Sequence, residues 1–391
     1  MTPGRAPGEP AVSRRAQLLL ALSVGIVLAD SSIVTLALPA ILRDFDADVP
    51  GVAWVLIAFN LALGLAALPG WWLARRRAAE AFAIAGAGFA GVSVLCAASP
   101  TLHVLIAARA AQGALGAVVV AAALALLERC APRRRAIGLW AAAGVLGSAV
   151  GPALGGFLTQ ALAWQAMFAL QVPVTIVALF GALVALGPRV VDPPAPADAK
   201  RPSLAPLAAL ALVSAALAAA LFLLVVLLIE GWRLLPGAAA VVVTAMPLAA
   251  LVAGRWARDR HRLAPTLPGC VLLAGGLAAL GLLPHAGAGW TIVPQLAIGA
   301  GLGLALGALV GVMVDAGGDG AIGRPAAWTI AARHAGIVVG LLVLTPIFSA
   351  DLDGVLEPAQ RAGLARVLDA PIALQPKIAL ARALAEEVGK V

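Results

Sequence analysis

Polar residues in this chain come in short bursts separated by long apolar stretches. Runs long enough to cross about 30 Å of hydrocarbon fall at roughly 16–41, 52–73, 81–99, 101–127, 136–158, 166–187, 204–229, 236–254, 265–284, 290–314 and 326–349. A segment in lipid must satisfy its own backbone donors and acceptors, so each run predicts a membrane helix. The pattern predicts about eleven spans, with proline and glycine interrupting the ninth and the start of the tenth.

The basic residues set the orientation. Arg5, Arg14 and Arg15, then Arg75, Arg76 and Arg77, then Arg129, Arg133, Arg134 and Arg135 fall on one set of alternate loops. The same side continues with Arg189, Lys200, Arg201, Arg255, Arg258, Arg260, Arg262 and Arg324, whereas the opposite loops hold only Arg43 and Arg233 before the tail. Positive residues stay inside, so the N-terminus is expected in the cytoplasm of a plasma-membrane protein.

Between the sixth and seventh runs lies a Pro-rich polar stretch that reads as an extended linker. The expected organisation is a six-helix bundle over 1–187, a cytoplasmic linker over 188–203, a five-span bundle over 204–349 and an extracytoplasmic amphipathic tail over 350–391. Each half has a basic loop after its second span, opened by Gly70 and by Gly254, as two bundles related by an internal repeat would. In the tail, apolar positions spaced for helix predict two short amphipathic helices.

Composition agrees. Of 391 residues 62% are hydrophobic and 12% charged, with mean hydropathy +1.01; soluble domains carry about twice that charge fraction. The net charge of +8 does not indicate nucleic acid, because it is clustered in the inter-span loops. Cys96, Cys130 and Cys270 have neither metal-ligand nor disulfide spacing and read as small apolar fillers. With no phosphate-binding loop, metal-ligand pattern or nucleophile elbow, no cofactor and no enzyme activity is expected.

Two ionisable groups stand deep inside apolar runs, where an unpaired charge costs several kcal/mol. Asp30 and Arg109 lie about 16 and 12 Å from the outer ends of the first and fourth helices, close enough in depth to meet. They read as a proton-coupling pair; the plainer alternative is a static ion pair that fixes packing. Asn60, Gln112, Gln171 and Gln295 are neutral polar residues within spans that either line a cavity or bond between helices. In the fifth run Gly147, Gly151 and Gly155 share one helix face, with Gly144 just before them and Pro152 and Gly156 among them, a ridge that admits a close neighbour. Gly299, Gly303, Gly307 and Gly311 read as a second packing ridge, and His103 and His334 as hydrogen-bonded residues near span ends.

The spelling Gly-x-x-x-Gly-Pro-x-x-Gly-Gly over 147–156 resembles the fifth-helix motif of drug:proton antiporters of the major facilitator superfamily. Leu28 to Pro39 is similar to that branch's first-helix signature, Arg109-Ala110-Ala111-Gln112-Gly113 to its fourth-helix motif and Trp54 to Leu61 to its second-helix start. Arg333-His334-Ala335-Gly336 with Gly340 echoes the penultimate helix. The wording is closest to the fourteen-span type without its two extra central helices. The resemblance implies two pseudo-symmetric bundles and proton-driven export of small amphipathic compounds by a monomer in the bilayer, with Arg109 in proton transfer. A twelfth span is expected to be missing from this sequence.

One departure concerns the cytoplasmic gate. The family loop carries an acid just before its basic cluster, but here Ala74 precedes Arg75, and Asp259 stands one place out of register beside Arg255 and Arg258. The rivals are a dedicated lipid or metabolite exporter, an uncoupled facilitator and, outside transport, a membrane sensor or assembly partner.

Overall fold

The computed structural model describes residues 14–186, 203–258, 266–283, 287–315 and 322–369, all helix or short connection, with no strand among them. In chain order the helices are α1 (Arg14–Asp44), α2 (Val49–Arg76), α3 (Ala78–Ala97), α4 (Leu102–Cys130), α5 (Arg133–Ala161), α6 (Gln165–Leu186) and α7 (Leu204–Gly231). They continue with α8 (Pro236–Val243 and Ala245–Arg258, either side of Thr244), α9 (Thr266–Gly281), α10 (Ile292–Asp315) and α11 (Gly323–Asp369). Ten are long and apolar enough to cross a membrane; α9 is shorter. The eleven expected helices are therefore present.

Local chemistry explains several ends. Asp48 caps α2 by accepting from the Gly51 N–H at 2.9 Å, and Thr101 caps α4 by accepting from Val104 at 3.3 Å, each satisfying a donor that the first turn leaves free. α10 is entered through Gly287 at φ 76° and a 3₁₀ turn over Ala288–Thr291, which accounts for the interrupted start of the tenth apolar run. The α11 helix continues to Asp369 where the sequence predicts a break after 349; the second expected tail helix lies outside the described residues.

The described residues fall into two compact units, one ending at Leu341 and the other beginning at Leu342. Inside the first, α2 lies along α4 and α8 along α10, with α1 against α5 and α3 against both α4 and α6. The pairings repeat in the glycines. A Cβ at Gly113 would strike the Phe59 carbonyl across α2–α4, and one at Gly299 would strike Met246 across α8–α10. Likewise Gly147 lies on Gly25 across α1–α5, and Gly336 on Ala211 across α7–α11. Backbones approach this closely only where side chains are absent, and in lipid such contact supplies much of the association.

Candidate functional site

Asp30 and Arg109 are both fully buried, and the arginine Nη1 donates to Asp30 Oδ2. The guanidinium donates from all three of its nitrogens. Nη1 also donates to Gln112 Oε1, Nη2 to the Asp30 carbonyl at 3.4 Å and Nε to the Val55 carbonyl at 3.3 Å. Phe59 stacks 4.1 Å from its Cζ and Phe168 lies 5.5 Å away, adding cation–π attraction that is strongest where water is excluded.

On the other carboxylate oxygen, Oδ1 of Asp30, the donor is Gln171 Nε2. Gln112 closes the ring by donating to Gln171 Oε1 at 3.1 Å and to Ser93 Oγ at 2.9 Å, and Cys96 Sγ donates to Gln112 Oε1 at 3.6 Å. Five helices, α1, α2, α3, α4 and α6, thus contribute to one network around the ion pair, and α4 and α6 reach the carboxylate itself. Of the four neutral polar candidates, Gln112 and Gln171 belong to this network. Asn60 and Gln295 do not; their amide nitrogens bond Leu56 on the same helix and Thr291 in the 3₁₀ turn that leads into α10. Ser93, Cys96, Phe59 and Phe168 were missed, because small or apolar residues inside an apolar run give no periodic signal.

The α5 ridge meets the helix that carries the acid. A Cβ at Gly147 would strike the Gly25 carbonyl, one at Gly151 the Ser32 hydroxyl and the Ala29 carbonyl, and one at Gly155 the Ile33 carbonyl. Gly144 lies on Leu28, while Gly156 faces Pro236 and Ala240 of α8. The ridge is a seam against α1, and only its last glycine touches the second half. Pro152 lies inside the unbroken α5 helix. Having no N–H, it leaves the Ser148 carbonyl one turn earlier without its helical donor. Ser32 Oγ of α1 reaches that oxygen at 3.2 Å, sharing its one proton with the Ala29 carbonyl at 3.0 Å.

At the end of the bundle bearing the basic clusters, Gly70 packs on Ala117 and Val118, and Gly254 on Gly303. These are corresponding α2–α4 and α8–α10 crossings. Arg75 stacks over Trp71, 5.3 Å away, Arg255 is exposed, and Asp259 lies outside the described residues. Ala74, standing where the family places an acid, is buried in the core, a position with no room for a hydrated carboxylate. Instead Glu128 Oε1 in the last turn of α4 accepts from the Ile322 N–H at 3.1 Å, where α11 begins. Trp71 covers Gly323, and Arg324 sits 5.9 Å from the same ring.

An anionic acceptor at a helix start is stabilised by the free N–H groups and the dipole, by about 1–2 kcal/mol. In a background with Cys96, Cys130 and Cys270 replaced by alanine, Glu128→Ala is expected to make a cysteine placed at Ala74 react faster with an impermeant maleimide. The expected gain is about 5- to 30-fold. An unchanged rate would show that this contact does not hold the helix ends together.

Comparison with known proteins agrees with this architecture. The model of the Major Facilitator Superfamily matches residues 20–341. The Mycolicibacterium smegmatis multidrug efflux pump LfrA is 36% identical over 210 residues, 49% of this chain and 40% of the relative. The Streptomyces glaucescens tetracenomycin C resistance and export protein is 36% identical over 176 residues, 43% of this chain and 32% of that protein. The matches thus span well under half the length of these relatives. A crystal structure of a bacterial homolog of the human lysosomal transporter Spinster, inward-facing and occupied, superposes with a TM-score of 0.68 at 16% identity, covering 96% of this chain and 91% of that one. With that fold and a family match over most of its length, this chain belongs to the Major Facilitator Superfamily.

Proposed function

We propose that this chain exports small amphipathic compounds from the cytoplasm in exchange for protons, as a drug:proton antiporter acting as a monomer in the plasma membrane with its N-terminus inside. The observation that carries this reading is a fully buried carboxylate on α1, paired to a guanidinium and flanked by the glycine seam. The names of the related efflux and resistance proteins support it. The bundles over 1–187 and 204–349, the linker over 188–203 and the tail from 350 are part of the same proposal.

The coupling follows from charge. Ionised, Asp30 holds Arg109 and Gln171 and so ties α1 to α4 and α6. A proton on Asp30 removes half of the ion pair, and the grip on α1 weakens. Both groups are enclosed in this conformation, so proton exchange requires the helices to move, which links protonation to a change of access. Proteoliposomes holding the purified chain should accumulate substrate against its gradient when a pH gradient is imposed, and lose that accumulation with an uncoupler. Equilibration without accumulation would leave a facilitator; no movement under any gradient would leave a sensor.

A further inference from the structure

A second charge stands at the level of Ser148, and the ion pair does not account for it. Arg333, ten residues into α11 and so about 15 Å from its start, is half-buried. Its partner is the neutral Ser148 hydroxyl, reached by Nη2 at 3.2 Å; among the described residues no carboxylate pairs with it. Beside it His334 is 1% exposed, and neither ring nitrogen has a hydrogen-bond partner. This corrects the reading of His334 as a satisfied residue near a span end. Facing it, α2 packs through Gly64, whose Cβ would lie 3.3 Å from the His334 Cβ. One turn along the same face of α2 is Asn60, 1% exposed, with an Oδ1 that also lacks a partner.

These groups come from both halves of the chain: α2 and α5 from the first, α11 from the second. A buried polar atom left unpaired is destabilising, and an uncompensated guanidinium in the membrane more so. Asp30 and Arg109 cancel each other, so among the described residues the formal charge left at this depth is that of Arg333. Guanidinium and imidazole N–H groups are donors suited to an anion, and the Asn60 oxygen accepts from a neighbouring hydroxyl or amide.

We infer that Arg333, His334 and Asn60 form a substrate subsite that takes the ionised acid group of an amphipathic organic anion, a carboxylate or phenolate. The inference rests on the efflux reading and narrows its substrate class. Ser148 connects this subsite to the coupling helix, since its Oγ also donates to the Leu28 carbonyl at 3.4 Å, two residues before Asp30.

The test uses the full chain and three probes sharing one aromatic ring system: a carboxylate, its methyl ester and a quaternary ammonium analogue. Binding is read from quenching of the protein's nine tryptophans, and transport from proteoliposomes with a pH gradient. The wild type should bind the carboxylate at least tenfold more tightly than the ester. Arg333→Gln should weaken carboxylate binding about tenfold and leave the ester within twofold, while Arg333→Lys recovers part of the loss. An equal loss on all three probes would make Arg333 a positioning residue and overturn the assignment, as would an unchanged carboxylate affinity. If the wild type moves the ester or the cation uphill without preferring the acid, efflux stands and the subsite falls. If it moves none of the three under any gradient, the efflux reading fails first.

Discussion

Asp30→Asn is expected to abolish uphill transport while leaving downhill equilibration in place. One pH unit of gradient is worth about 1.4 kcal/mol per proton, so a one-for-one exchanger can hold about a tenfold substrate ratio. With asparagine at position 30 no proton is carried at this site, and that ratio should fall to about one. The substitution keeps the shape and a side-chain oxygen for Gln171. It also leaves Arg109 as a buried cation without its counter-charge, and breaking such a pair costs about 3–5 kcal/mol. The loss is cushioned, because Arg109 retains the Val55 and Asp30 carbonyls, Gln112 and the Phe59 ring. Lower thermal stability should accompany the loss of accumulation. The measurement is the steady-state ratio in proteoliposomes at a fixed pH gradient, normalised to folded protein. An Asp30→Asn protein that still concentrates substrate would remove Asp30 from the coupling step.

The second large effect is expected at Gly151. Its added Cβ would lie 2.8 Å from the Ala29 carbonyl and 3.1 Å from the Ile33 nitrogen, with the Ser32 hydroxyl nearer still. Those residues flank Asp30 on α1, and two of the three close atoms are backbone, which cannot swing aside. Gly151→Leu must therefore force α1 and α5 apart and carry the carboxylate away from Gln171 and Arg109. Overpacking of this kind costs about 1–3 kcal/mol even where side chains can rearrange, and here they cannot. Transport should fall by about two orders of magnitude, with a lowered unfolding temperature; Gly151→Ala should show a smaller loss in both. Gly91→Ala is the control, because a Cβ there meets nothing within 4 Å and should leave both readouts unchanged. If Gly151→Leu transports at the wild-type rate, the close α1–α5 approach is not required for function.

Much of the site was legible before the structure. An aspartate and an arginine at similar depths in apolar runs announce a pairing, since neither charge is tolerable alone in hydrocarbon. Gln112, three residues after Arg109, shares its helix face and does join the network. Gln171 was legible as a polar residue in a span, yet nothing along α6 indicates that its amide reaches Asp30. Ser93 and Cys96 were not legible at all, because one hydroxyl or thiol in an alanine-rich helix resembles packing. Glu128 stood among the basic residues of a loop end and carried no sign that it would reach the start of α11.

What the amino-acid order determined alone is the number of spans, the close-packing faces and the presence of one buried acid and one buried base. These follow from local physics: hydrocarbon thickness, the helical repeat and the cost of a lone charge in lipid. Which helix each glycine face touches was decided only by the tertiary structure. So was the completion of the Ser148 carbonyl, stripped of its donor by Pro152, by a serine from α1. The same holds for Arg333, which lies beside a hydroxyl and, among the described residues, no carboxylate. The physical reason is common to all three. Contacts between helices depend on relative rotation and approach of segments far apart in the chain, and no pattern within a single span encodes them.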